Sequence, residues 1–201
     1  KSTLLRMIAG LEDITEGEID LDGKTINKID PSDRDIAMVF QNYALYPHMN
    51  VYKNLSYGLK NKGESKEIIN KKVNEVAELL EIKEYLQRKP AQLSGGQIQL
   101  VFLVRALVDA PDVIILDEPS SSIDTKSQSK IFKILSNVNK NNIPIVFSSH
   151  DTFALTNSAN RIACINKKLD YHGTSKDFLG NKHLAESYGY GVDVLSHQGH
   201  E

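Results

Sequence analysis

The residues of this 201-residue sequence that carry chemistry fall into a few short groups. Asp117 and Glu118 stand side by side after four aliphatic residues, Val113 to Leu116. A carboxylate at a strand end holds Mg²⁺ directly or through water. A second, adjacent carboxylate can act as base toward an attacking water. Taken alone, the pair also reads as two acids marking a solvated strand end. Ser94-Gly95-Gly96-Gln97 places two glycines at a helix start behind a serine. Bare N–H groups, a hydroxyl and the positive end of the helix dipole make an anion-binding surface. A purely structural cap rarely accepts two glycines, since each costs about 1 kcal/mol relative to alanine. His150, after Ser148-Ser149, can donate a hydrogen bond to a terminal phosphate, although a lone histidine is usually structural. Lys1-Ser2-Thr3 precedes an apolar helical run, so it is either the end of a phosphate-binding loop or an ordinary helix start. Gln41 says nothing by itself.

The elements that must position these groups follow from periodicity. The spacing predicts a helix over Ser2 to Ala9, with Leu4, Leu5 and Ile8 on one face and Gly10 as its stop. Residues 16–26 alternate and turn at Asp22-Gly23, a hairpin signal. Residues 35–41 read as a strand ending at Gln41. Residues 42–110 lack strand signals and read as a helical lobe: a helix from Val51 to Leu59, then an amphipathic one with Ile68, Val73, Val76, Leu79 and Leu80 near one stripe. Ser94 is a predicted N-cap for a helix over Gly95 to Leu107. Val113 to Leu116 and residues 143–150 read as buried parallel strands, with a helix over Thr125 to Leu135 between them. Two final strands are expected at Ile162–Ile165 and Leu169–His172, followed by short helices. Buried strands alternating with helices imply a parallel sheet. In such sheets ligands bind at the carboxyl ends of strands, and Gln41, Asp117-Glu118 and His150 all fall there. We therefore expect one α/β domain over residues 1–201.

Composition narrows the classes. The formal net charge of -2 offers no global field for nucleic acid or anionic lipid. The single Cys164 excludes an internal disulfide and suits a reducing compartment. No apolar run is long enough to span a bilayer. A role at a membrane would be that of a peripheral partner.

The motifs together, Leu93 to Gln97, then Val113 to Pro119, Ser120 to Asp124 and Ser148 to His150, in this order and spacing, resemble the ATP-binding cassette (ABC) ATPase family over nearly the whole chain. The resemblance implies an α/β P-loop NTPase with a parallel-sheet core, an antiparallel β hairpin and an inserted helical lobe. It implies that Lys1, Ser2 and Thr3 end the Walker A loop, Lys1 neutralising the β- and γ-phosphates of ATP and Ser2 coordinating Mg²⁺. Gln41 matches the Q-loop glutamine, which senses Mg²⁺ and the attacking water. Asp117 matches the Walker B magnesium ligand, Glu118 the catalytic base and His150 the switch histidine. Ser94, Gly95, Gly96 and Gln97 match the signature that clamps ATP held by an opposite subunit, and Asp124 matches the D-loop aspartate. The Walker A glycines are not in this sequence, so a chain lacking its first strands is expected. ATP and Mg²⁺ are the implied cofactors. The implied partners are a second cassette, identical or not, transmembrane permease subunits and, indirectly, an extracytoplasmic solute-binding protein. The implied place is the cytoplasmic face of a membrane.

Residues 38–60 resemble importer cassettes for sugars and related solutes, which makes Tyr43, Ala44, Leu45, Tyr46 and Pro47 an expected docking surface for a permease. An aromatic loop packed on its own lobe is the alternative. Residues 124–132, 143–151 and 162–173 instead resemble cassettes of zinc or manganese transporters. The tail adds His197 and His200, more often solvated than metal-binding, and does not resemble the long regulatory domain that many sugar-type cassettes append. Leu100 stands where the family usually has arginine, and Phe102 and Val104 where it has alanine. This apolar stretch implies burial, with the risk that larger side chains tilt the signature. Two further classes stay open: a soluble ABC ATPase acting in translation or on DNA, against which the net charge speaks, and a catalytically weakened homologue.

Overall fold

A helix over Ser2–Ile8 (α1) opens the computed structural model, which describes residues 1–40, 45–120, 123–140 and 142–179. The described residues fall into two compact units, one ending at His150 and the other beginning at Asp151. Gly10 ends the first helix with φ 78°. A side chain there would stand 2.6 Å from the Arg34 guanidinium carbon, so glycine serves the turn and the close approach together. Asp20–Leu21 (β1) and Lys24–Thr25 (β2) pair antiparallel. Asp22 and Gly23 between them have φ 51° and 78°, the two left-handed residues that a type I′ hairpin turn requires. Ile36–Val39 (β3) follows.

The helical lobe contains Val51–Asn61 (α2), Lys66–Leu79 (α3) and Gly95–Leu107 (α4). Asn50, Ser65 and Ser94 cap them by accepting N–H bonds from Lys53, Ile68 and Gln97. The expected stripe on α3 needs correction. Ile69, Val73 and Ala77 are its buried residues, whereas Ile68 and Leu79 are 43% and 61% exposed. Spacing of four keeps 69, 73 and 77 on one face; Ile68 and Leu79 fall beside it. On α4, Leu100 to Val104 are all buried, as its uniform apolarity implies. Leu100 and Phe102 sit in the main apolar core with Val101 and Val104, so the larger side chains are packed.

Val113–Asp117 (β4) is buried along its whole length. Its aliphatic residues Ile114, Ile115 and Leu116 are at most 1% exposed, and each contributes about 1.5–3 kcal/mol of burial. Thr125–Lys140 (α5) runs past the expected end at Leu135, with Ile131, Ile134, Leu135 and Val138 inward. Ile145–Ser148 (β5) completes a parallel sheet in the order β3-β4-β5. The expectation of a fully buried β5 fails: Val146 is 41% exposed and only Ser148 is buried. Among the described residues β5 pairs with β4 alone, so it is an edge strand.

In the second unit, Thr152–Ser158 (α6) precedes Arg161–Asn166 (β6) and Lys168–Thr174 (β7). The last two form an antiparallel hairpin turning at Lys167, φ 58°. Both expected strands lie within it. Ser175–Leu179 (α7) ends the described chain. Ile162 and Cys164 pack with Leu155, Tyr171 and Phe178 into a small core. His197 and His200 lie outside the described residues.

Candidate functional site

Parallel pairing puts the ends of β4 and β5 side by side, with Asp117 opposite Ser148. Ser148 Oγ donates to Asp117 Oδ1 at 2.6 Å and accepts from the Glu118 N–H at 3.0 Å. Glu118 itself adopts φ 56°, a left-handed conformation uncommon for a residue with a Cβ and enriched at active sites. Its Oε1 lies 2.8 Å from His150 Nε2. The Lys1 ammonium donates to the Ser149 carbonyl at 3.1 Å. Four of the residues singled out from sequence, Lys1, Asp117, Glu118 and His150, thus converge around the segment 148–150. Glu118 is partly shielded at 15% exposure, while His150 is 79% exposed. The Glu118 carboxylate is partly shielded, and the histidine faces solvent, where a ligand would arrive.

Asp117 is 3% exposed and has one hydroxyl donor, yet no ion-pair partner among the described residues. A buried carboxylate with no counter-charge suits a hard cation. Its oxygen chemistry fits Mg²⁺; Ser2, the other expected ligand, opens α1. Gln41, the third expected metal ligand, lies outside the described residues, as do Tyr43 and Ala44; β3 ends just before it, at Val39.

The glycine-rich helix start forms a second group. Ser94 and Gln97 make a reciprocal capping box: Ser94 Oγ accepts from Gln97 N at 3.3 Å, and Gln97 Oε1 accepts from Ser94 N at 2.9 Å. Among the described residues the Ser94 hydroxyl donates to none, and Gly95 faces open space, so both remain presented outward. Gly96 differs. A Cβ there would collide with Ser127 Oγ and stand 2.7 Å from Ser127 Cβ. Ser127 in turn binds Asp124 twice, N to Oδ1 at 3.0 Å and Oγ to Oδ2 at 2.7 Å. Those bonds hold the Asp124 carboxyl below the usual aspartate range.

Sequence reasoning passed over several connecting residues. Gln99 Nε2 donates to the Pro119 carbonyl at 2.9 Å, tying α4 to the loop after Glu118. Gln128 Nε2 donates to the Ser120 carbonyl at 3.1 Å, bracing that loop from α5. Arg34 is 6% exposed and binds four backbone carbonyls, two of them, Met7 and Ile8, at the end of α1. Such residues carry no motif, so only the folded geometry reveals them.

On another face, Tyr46 packs against Tyr57 at 4.9 Å between ring centroids, with the Arg105 guanidinium 5.7 Å from its ring. Buried Asn54 fixes its backbone, accepting from Tyr46 N at 2.7 Å and donating to Tyr46 O at 3.2 Å. Pro47 is exposed and Leu45 buried. A cleft of about 430 Å³ opens alongside, lined by Phe40, Tyr57, Lys62, Phe102 and Arg105. Tyr46 therefore does lean on its own lobe, while Pro47 remains presented.

Residues 1–121 match the family described as ABC transporter. The chain belongs to the ABC transporter family. It is 48% identical over 170 residues to an sn-glycerol-3-phosphate import ATP-binding protein of Jannaschia sp., covering 84% of this chain and 49% of the relative. It is 46% identical over 175 residues to a multiple sugar-binding transport ATP-binding protein of Streptococcus mutans, covering 87% of this chain and 46% of that protein. The chain thus spans about half the length of these curated relatives. A nucleotide-free ATP-binding cassette from an ABC transporter superposes with TM-score 0.83 at 25% identity, covering 93% of this chain and 82% of that one. The P-loop NTPase architecture of ABC cassettes, with its parallel core and antiparallel hairpin, is the fold of this chain.

Proposed function

We propose that this chain is the ATP-hydrolysing subunit of a bacterial ABC importer. The observation that carries the reading is the convergence of Lys1, Asp117, Glu118 and His150 at the ends of β4 and β5. Phosphoryl transfer asks for positioning and charge neutralisation rather than covalent chemistry. Mg²⁺, bound through Asp117 with Ser2 and Gln41, would neutralise charge on the phosphate oxygens. Lys1 adds a positive charge to the β- and γ-phosphates, and Thr3 extends the same helix start. Glu118 takes the proton from the attacking water. His150 donates to the terminal phosphate oxygen.

Ser94, Gly95, Gly96 and Gln97 serve the ATP of a second cassette, with Asp124 at the same face. Two copies, or this chain and a close relative, close head to tail around the nucleotides. Closure with ATP and release after hydrolysis form a two-state element that drives the permease. The exposed Pro47, with Tyr46 and the adjacent cleft, receives that permease at the cytoplasmic face of the membrane; a solute-binding protein delivers cargo from the other side. The relatives named for glycerol phosphate and sugars favour a carbohydrate-type solute. The matches to the Jannaschia and Streptococcus proteins span 170 and 175 residues and so reach into the later part of the chain, which resembles metal-type cassettes.

Glu118→Gln in the intact protein tests the reading. Hydrolysis should fall by about 10²–10⁴-fold while ATP-bound dimers accumulate on size exclusion. Undiminished steady-state hydrolysis would remove Glu118 as the base.

A further inference from the structure

We propose that Ser148 is a positioning residue for this site, its one hydroxyl aligning both acids at once. The inference rests on the reading of Asp117 and Glu118 as metal ligand and base.

A serine hydroxyl has one proton to give and lone pairs to receive. Here the proton goes to Asp117 Oδ1 at 2.6 Å, and a lone pair takes the Glu118 N–H at 3.0 Å. Ser148 is 7% exposed and Asp117 3%, so water does not readily replace either bond. The parallel register that faces Asp117 with Ser148 makes the geometry a property of the sheet rather than of a loop. Two consequences follow. Asp117 Oδ1 is held by the Ser148 hydroxyl, which fixes how the carboxylate is presented. The N–H of Glu118 is tied down in the residue whose φ of 56° directs its side chain toward His150. Serine is the smallest side chain that offers a donor and an acceptor from one atom. Alanine removes both, cysteine weakens both, and threonine keeps both.

The test compares Ser148→Ala, Ser148→Thr and Ser148→Cys in the intact protein. In Ser148→Ala the Glu118 amide should exchange with solvent at least about tenfold faster by NMR, having lost its acceptor. Mn²⁺ bound with ATP, followed by electron paramagnetic resonance, should bind more weakly. The kcat should fall by about tenfold to a hundredfold with KM for ATP nearly unchanged, as expected for misplaced groups. Threonine should restore all three readouts and cysteine part of them. If Ser148→Ala does not fold, the cysteine and threonine pair carries the same comparison, with cysteine expected to fall between threonine and the loss. Unchanged amide exchange and Mn²⁺ affinity in the alanine or cysteine variant would overturn the proposal. So would losses that threonine fails to repair, since side-chain volume would then be the cause. The amide exchange reports on Ser148 even if Glu118→Gln keeps full hydrolysis, so failure of the positioning role and failure of the ATPase reading are told apart.

Discussion

His150 Nε2 stands 2.8 Å from Glu118 Oε1 across the ends of two neighbouring strands. The contact requires a proton on Nε2, and the same proton is what a terminal phosphate would accept. His150 is the more exposed partner, so it is the one free to turn to a ligand. His150→Ala should lower kcat by about 10²–10³-fold, the range seen when one donor to a developing negative charge is lost. ATP affinity, measured by nucleotide fluorescence, should change little. An equal loss in affinity would mean that His150 acts in ground-state binding instead.

Gly96, in the first turn of α4, has no room for a side chain. A Cβ on it meets Ser127, whose hydroxyl and Cβ both lie inside contact distance. Gly96→Ala should cost about 1–3 kcal/mol by overpacking, read from urea denaturation. Gly95, which faces open space, is the control: Gly95→Ala should leave stability nearly unaltered. Trimming Ser127 to glycine in the Gly96→Ala background should recover part of the loss.

Asp124 gives a pH dependence with a defined sign. Ser127 holds its carboxyl below the ordinary aspartate value, chiefly through the hydroxyl bond. A group whose folded pKa is depressed stabilises the protein above its unfolded pKa and loses that contribution as pH falls through the folded value. Ser127→Ala should therefore be less stable than the parent near neutrality, with the gap closing in acid below the usual aspartate range. Carboxyl-carbon NMR should show the Asp124 pKa rising toward the ordinary value. An unmoved Asp124 would place the cause elsewhere.

The acids, the glycine-rich cap and the histidine were legible in the sequence because each sits at the end of a strongly periodic or apolar segment. Val113 to Leu116 can only be an inner strand, which places Asp117 at a carboxyl end. The register between β4 and β5 was not legible, and with it the bridge from Ser148 to Asp117 was hidden. Hydrophobicity also misplaced two things. Residues 145–147 look apolar enough for a central strand, but burial is decided by neighbours, and β5 has one among the described residues. Ile68 and Leu79 look like core positions, but α3 turns a narrower face inward. Local pattern identifies an element; its partners decide which of its faces is dry.

Arg34 shows how far positioning extends from the chemistry. Its Nη1 donates to the Met7 and Ile8 carbonyls at 3.1 and 2.9 Å, its Nε to Ile29 O at 2.8 Å and its Nη2 to Asn27 O at 3.4 Å. Met7 and Ile8 lie in the last turn of α1, where the dipole is negative, and the Met7 carbonyl also accepts from the Gly10 N–H at 3.1 Å. Lys1 is the residue just before the opposite end of the same short helix, without a side-chain capping bond. The guanidinium therefore fixes α1 to the segment after the β1–β2 hairpin and sets how far Lys1 reaches toward Ser149. Arg34→Met keeps the bulk but removes the guanidinium donor from the Ile8, Ile29 and Asn27 carbonyls, each costing about 1–3 kcal/mol if left unpaired, while Met7 keeps its Gly10 donor. We expect a loss of about 3 kcal/mol or more in urea denaturation, and a weaker affinity for ATP from the displaced Lys1. Arg34→Lys should recover only part, because one ammonium cannot span carbonyls that the planar fork reaches together. If Arg34→Met denatures like the parent, water satisfies those carbonyls and α1 is held by the apolar packing of Leu5 and Ile8 with β3 and β4 residues.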